Sequence, residues 1–214
     1  YTGSKESFRL PSKKCTVVGH GIEVEKIQRT TKQPGPTLEV ISIGRISPVK
    51  GYDQMIEAIA YIKEKNPEQK IRLRIVGGPG TAEQEDYYKK LQEKVRQKNL
   101  TESIIFIGPV EHSKVPEILN TADIFINLSD TGSLDKAILE AMAAGVPTIT
   151  SNPAFEKILA PFNLFVDKND IPALARAIGK APESVQGEQL RAIIEQNHHL
   201  TKLIPKILKI AIDK

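Results

Sequence analysis

The chain has 214 residues, 40% hydrophobic and 26% charged, with a formal net charge of +4. That length suits one substantial domain with additions and excludes two large ones. The mild basicity fits an anionic ligand or a membrane surface, while the absence of Trp and the few aromatics give no sign of nucleic-acid binding.

The single cysteine, Cys15, excludes an intrachain disulfide and a cysteine-built metal site. No apolar run approaches the roughly 18 residues of a membrane span. No secretory signal opens the chain, which predicts a cytoplasmic location. The chain begins with Tyr1 rather than Met, so it is expected to be a processed product or a piece of a longer protein.

In chain order, residues 1–14 are polar, lack periodicity and read as a connector. "CTVVGHGIEV" predicts a short β-branched strand ending at Gly19, and 28–37 a Pro/Gly loop. "LEVISIGR" predicts a buried strand ending at Gly44. The helix after "ISPVKG" places Met55, Ile56, Ile59 and Ile62 at spacings of three and four. "IRLRIVGGPG" predicts the next strand, and "EQEDYYKKLQEKVRQKN" a charged, exposed helix. Then come a strand in "SIIFIGPV", a short helix in "SKVPEILNTA" and a strand in "DIFINLS". "LDKAILEAMAAG" predicts a helix, "PTITSN" a strand, and "LFVD" a last short one. Two or three further helices close the chain. The last, Leu200 to Ile212, carries Leu203, Ile204, Ile207, Leu208 and Ala211 on one side.

Alternating strands and helices, with strands that are nearly continuous apolar runs, predict an α/β fold: a Rossmann-like, doubly wound parallel sheet. Ligands of such sheets sit beyond the carboxyl ends of the strands. Here those ends carry Gly19-His20-Gly21, Gly44-Arg45, Gly77 to Gly80, Gly108-Pro109-Val110 and Ser129 to Ser133.

Spacing leaves two readings open for Arg45 and Lys50: a solvated loop, or a pair of cations suited to a diphosphate. In "SDTGSLDKAILEAMAAGVP", Ser133 is expected to cap the helix, with Asp135 at the positive end of its dipole. Lys136 and Glu140 are four apart and share a face. Either they form a weak surface pair, or the bare N–H groups from Gly132 to Lys136 bind an anion while Glu140 accepts from a ligand's hydroxyls. Ala143, Ala144 and Gly145 are small enough to let the helix sit close to its neighbours. No G-x-G-x-x-G and no P-loop is present. His20, His112, His198 and His199 lack metal-ligand spacing; His198 and His199 are expected at a surface helix junction, and His20 on the ligand rim.

The ordered motifs "VVGHGIEV", "VISIGRISPVKGYDQMIEAI", "LRIVGGPG", "IIFIGPVEHSKVPEILNTADIFINLS" and "LEAMAAGVPTITSN" resemble the C-terminal half of a family 4 glycosyltransferase of GT-B architecture. The resemblance runs from about Cys15 to the last helix. It implies retaining transfer of a sugar from a nucleotide-sugar donor, a UDP- or GDP-sugar, without an obligatory metal. By position it places Arg45 and Lys50 on the donor diphosphate, Glu140 on the ribose hydroxyls and backbone near Val110 on the base. Backbone from Ser133 through Leu134 and Lys136 to Ala137 would meet phosphate and sugar. Arg45, Lys50 and the helix start would stabilise the departing diphosphate.

One departure is local. The family has two glutamates separated by seven residues; Glu140 is the second, and Gly132 stands where the first would fall. The glycine that follows three residues later is here Asp135. Asp130 or Asp135 is expected to return a carboxylate to that space, making Asp135 a catalytic candidate, with Lys136 as an added cation. The other departure is extent. The resemblance makes 1–14 the end of an interdomain linker and 15–214 the donor-binding domain. The missing N-terminal domain would supply the acceptor site, and the fragment alone would bind nucleotide without transferring sugar. The resemblance also allows peripheral association with the inner membrane face, partial exposure of the last helix, and two rival readings: a nucleotide-sugar epimerase or a non-catalytic binding module.

Overall fold

The computed structural model describes residues 3–5, 15–28, 32–33, 35–185 and 187–212. Most of the expected linker at 1–14 lies outside the described residues.

Five strands form one sheet: β1 (Leu38–Ile43), β2 (Ile71–Val76), β3 (Ile104–Gly108), β4 (Ile124–Asn127) and β5 (Thr148–Thr150). Every pairing is parallel, in the order β3-β2-β1-β4-β5. The helices between them are α1 (Tyr52–Lys65), α2 (Ala82–Gln97), α3 (Val115–Leu119) and α4 (Lys136–Ala143). After β5 come α5 (Glu156–Leu159), α6 (Ile171–Ser184), α7 (Gly187–Asn197) and α8 (Leu200–Ile212). The chain builds outward from β1 to β3, then returns to lay β4 on the other side of β1. Right-handed crossovers therefore put α1 and α2 on one face and α3 and α4 on the other. Helix α6 packs on α1, and α7 on α4, closing both layers.

The core follows from this doubly covered sheet. All four residues of β4 and all three of β5 are buried. Tyr52, Met55, Ile56, Ile59 and Ile62 form the inner stripe of α1. Each fully buried aliphatic side chain contributes roughly 1.5–3 kcal/mol relative to exposure. Strand β2 departs from a continuous apolar run: Arg72 Nη1 lies 2.8 Å and Arg74 Nε 3.3 Å from the Glu39 carboxylate on β1, so the charges neutralise one another across the pair. Strand β3 departs at the sheet edge, where Ile105 and Ile107 are exposed.

Two predicted strands are not strands. Around Cys15–Gly19 the described residues form single bridges rather than a strand of the sheet: Val17 carries one, and Ile22 bridges His199 just before α8. The Ile22 N–H donates to His198 O at 2.8 Å, and Leu200 N–H to Ile22 O at 3.0 Å. "LFVD" contributes one bridge, Thr150 to Phe165. β-Branched composition made both look like strands, but among the described residues neither extends its pairing beyond single bridges.

His198 and His199 do lie between α7 and α8. His198 is buried rather than on the surface, with Nδ1 3.0 Å from His20 O. Helix α8 has the predicted limits, and Ile204, Leu208 and Ile212 on it are exposed. Among the described residues no helix is long and apolar enough to cross a membrane.

Candidate functional site

The topological switch falls between β1 and β4, the strands from which the chain departs in opposite directions. What lies at their carboxyl ends is fixed first by backbone. Gly77, after β2, has φ +136°, and a Cβ there would lie 1.9 Å from Gly44 O. Glycine is therefore required for the β1 and β2 exits to touch. Gly51 begins α1 at φ +70°, and a Cβ there would meet Leu128 Cβ at 2.6 Å. This close approach brings the turn bearing Lys50 against the end of β4. The fully buried Tyr52 holds the same turn from below, its hydroxyl donating to Gly44 O at 3.1 Å. Burial raises the Tyr52 pKa, which keeps that donor protonated.

Lys50 ends a 3-10 turn, Pro48–Lys50, and its ammonium bonds Asp135 Oδ2. The same oxygen accepts from Asn127 Nδ2 at 3.1 Å, and Asp135 Oδ1 accepts from Ala137 N–H at 3.1 Å. Asn127 is itself buried, its Oδ1 taking Ser129 N–H at 3.0 Å. Asp135, not Ser133, is thus the N-cap of α4. Ser133 lies two residues outside that cap; its carbonyl accepts from buried Asn152 Nδ2 at 2.8 Å. The expectation that Ser133 caps the helix fails because Asn127 and Lys50 pull the carboxylate of Asp135 to the helix start. Among the N–H groups from Gly132 to Lys136, expected to be bare, that of Ser133 donates to Thr131 Oγ1 at 3.4 Å, and Asp135 takes the next one along the chain, Ala137 N–H.

Arg45 is exposed and lines an open cavity of about 580 Å³ with Lys50, Ser47, Glu83 and Gln84. Glu140 and Lys136, one turn apart on α4, line a second cavity of about 460 Å³. Its other walls come from 21–23 and 26–27, from His112, Ser113, Val115 and Pro116 after β3, and from Leu200. The Glu140 carboxylate does not pair with Lys136. Its Oε1 lies 2.8 Å from His112 Nε2, with the Glu140 side chain 9% exposed and that of His112 80% exposed. The imidazole is therefore the solvent-facing member of the pair. Val110, two residues before His112, packs against the core, as does Leu134. Lys136 is exposed and its charge reaches His20, whose pKa is lowered first by burial, then by Lys136 and His198. His20 Nε2 is buried with no hydrogen-bond partner among the described residues.

Gly132 has φ +68°, a left-handed conformation in which glutamate would be strained. Of the two nearby carboxylates, Asp130 is exposed and pairs with Lys168 Nζ at 2.6 Å, while Asp135 is bonded through both oxygens. The small residues after α4 do permit close packing. A Cβ on Gly187, at the start of α7, would meet Gly145 O at 2.4 Å, and Arg191 Nη1 donates to Ala143 O at 2.8 Å.

Sequence reasoning missed His112, Asn127 and Asn152. His112 and Glu140 are 28 residues apart, and no local spacing announces their contact. Asn127 left a trace: it is the polar last residue of an otherwise apolar strand.

The structure is an α/β domain whose parallel sheet carries cations and a buried carboxylate at its switch point. The family profile for "Glycosyl transferases group 1" matches residues 23–200, and the chain belongs to that family. It is 28% identical over 191 residues to the putative colanic acid biosynthesis glycosyltransferase WcaL of Salmonella typhimurium, covering 84% of this chain and 45% of that protein. It is 34% identical over 113 residues to mannosylfructose-phosphate synthase of Agrobacterium fabrum, covering 52% of this chain and 25% of that one. The chain thus spans less than half the length of these relatives.

Anabaena Alr3699/HepE, solved in complex with UDP and glucose, has the same fold. Its TM-score is 0.79 at 19% identity, over 93% of this chain and 57% of that one. The C-terminal domain of a glycosyl transferase group 1 family protein (LpcC) from Francisella tularensis is matched over its whole length. There the TM-score is 0.69 at 22% identity, over 84% of this chain. The chain therefore has the Rossmann-like fold found in such C-terminal domains.

Proposed function

We propose that this chain is the donor-binding domain of a retaining glycosyltransferase that takes its sugar from a UDP- or GDP-sugar. The observation that carries the reading is the convergence at the β1–β4 switch of Arg45, Lys50 and the start of α4, beside a cavity holding the buried carboxylate of Glu140. A cavity of about 460 Å³ falls within the roughly 300–1,000 Å³ of small-molecule sites. In this reading the ribose hydroxyls donate to Glu140 as His112 moves aside. The base lies against the backbone after β3 near Val110. The diphosphate meets Arg45, Lys50 and the backbone of Ser133, Leu134 and Lys136.

The chemistry demanded of these groups is electrostatic. As the bond from the sugar's anomeric carbon to the β-phosphate oxygen breaks, negative charge accumulates on the diphosphate and positive charge on the sugar. Cations fixed at that oxygen stabilise the first of these. In a front-face reaction the leaving phosphate itself takes the acceptor's proton, so no protein base is required at this half of the site. A larger protein that includes an N-terminal acceptor domain would complete the enzyme, with 1–14 ending the interdomain link and 15–214 forming the donor domain. The exposed apolar residues of α8 would pack on that domain or lie at a membrane surface.

The test is a thermal-shift screen of nucleotides and nucleotide sugars, since a ligand that binds only the folded state raises its stability by mass action. Selective stabilisation by UDP, GDP or one of their sugars is expected, with no sugar transfer by the chain alone. Stabilisation by none of them, or turnover by the fragment, would sink the reading.

A further inference from the structure

We propose that Asp135 is the internal counter-charge of the diphosphate site and lowers its affinity for the nucleoside diphosphate; this rests on the donor-binding reading above. The carboxylate is held from three sides: Lys50 Nζ and Asn127 Nδ2 on Oδ2, and Ala137 N–H on Oδ1. Asn127 is buried and its orientation is fixed in turn by Ser129 N–H. Asp135 and Lys50 side chains are only 16% and 21% exposed, so solvent screens their pairing incompletely.

Two consequences follow from charge alone. Before ligand binds, Lys50 is neutralised by Asp135, and the other cations of the site, Arg45 and Lys136, make no ion pair among the described residues. When a diphosphate arrives it must share Lys50 with a carboxylate that cannot withdraw, because the helix cap and Asn127 keep it in place. Asp135 therefore opposes the phosphates directly and competes for one of their cations. The opposition grows with ligand charge. A free nucleoside diphosphate carries about one more negative charge than the same diphosphate esterified to a sugar, because its terminal phosphate ionises a second time near neutral pH. Asp135 thus disfavours the product more than the donor, which assists product release.

The experiment compares the unmodified chain with Asp135→Asn, Lys50→Gln and the double variant, by calorimetric titration with UDP and with GDP. Uridine and guanosine serve as controls without phosphate. Asparagine retains an oxygen for Ala137 N–H; Asp135→Ser, an equally good cap, guards against an effect peculiar to asparagine, and a thermal melt of each variant confirms folding. Asp135→Asn and Asp135→Ser should each tighten the nucleoside diphosphate about tenfold, as expected for one removed like charge at close range. In the Lys50→Gln background the gain should fall to about threefold or less, and the free nucleosides should be unaffected. Unchanged or weakened binding in both folded Asp135 variants would overturn the proposal while leaving the donor-binding reading intact. Failure of the unmodified chain to bind UDP or GDP would overturn both.

Discussion

Removing the charge of Glu140 isolates the ribose half of the site. The side chain is almost buried, and among the described residues its side-chain partner is the exposed ring of His112 at 2.8 Å. Two ribose hydroxyls arriving at this carboxylate would form two charge-assisted hydrogen bonds while one, to His112, is released. The net gain is about one such bond, roughly 1.5–3 kcal/mol, or about 10- to 150-fold in affinity. Glu140→Gln keeps the volume and one acceptor oxygen, so its loss should sit near the lower end, about tenfold; Glu140→Ala should lie higher. The assay is calorimetric titration of each variant with the nucleoside diphosphate that binds and with its 2′,3′-dideoxy analogue. The analogue lacks the hydroxyls, and its affinity should change by less than about threefold. Equal losses for both ligands would show that Glu140 only supports the fold and would refute the reasoning.

Arg45→Ala should weaken nucleoside diphosphate binding by about tenfold, the size of one charge-assisted contact, while leaving the free nucleoside unaffected; equal effects on both in titration would remove Arg45 from the phosphate site. Gly77→Ala should destabilise the fold by roughly 2–4 kcal/mol in urea unfolding, because its Cβ would lie 1.9 Å from Gly44 O; a loss within experimental scatter would contradict the described strand exits. His198 is shifted below its ordinary value of 6.5, chiefly by burial. Its stabilising contribution is therefore complete above pH 6.5 and is lost as pH falls from there toward its folded value. The melting temperature should drop over that interval, and His198→Gln should flatten the drop; identical slopes would exclude His198 as its source.

The parts of the fold that could be read in advance are those set by local pattern. The five sheet strands follow from short, largely apolar runs, three of them closed by glycine at 44, 77 and 108, and α1 and α8 from three-and-four spacing. The failures share a cause. A β-branched stretch such as "CTVVGH" satisfies the strand pattern but becomes a strand only where a neighbour offers a ladder, and among the described residues Ile22, just beyond it, meets the junction at His199 through a single bridge. The capping of α4 was ambiguous locally, since Ser133 and Asp135 are both good caps. Lys50, 85 residues away, and Asn127 decided it. The site was legible as residue types at strand ends: Arg45, Lys50, Lys136 and Glu140 do line cavities at that rim. Which charges meet one another was not, because the Lys50–Asp135 and Glu140–His112 contacts depend on the order in which strands enter the sheet.

The most direct measurement of the central claim is a map of backbone amide shifts in the chain as UDP and GDP are titrated in. The account predicts that one of them moves the amides of 44–51, 108–112 and 132–140 together, saturably and at one stoichiometric site. Shifts confined to the opposite end of the sheet, or none with either nucleotide, would contradict it.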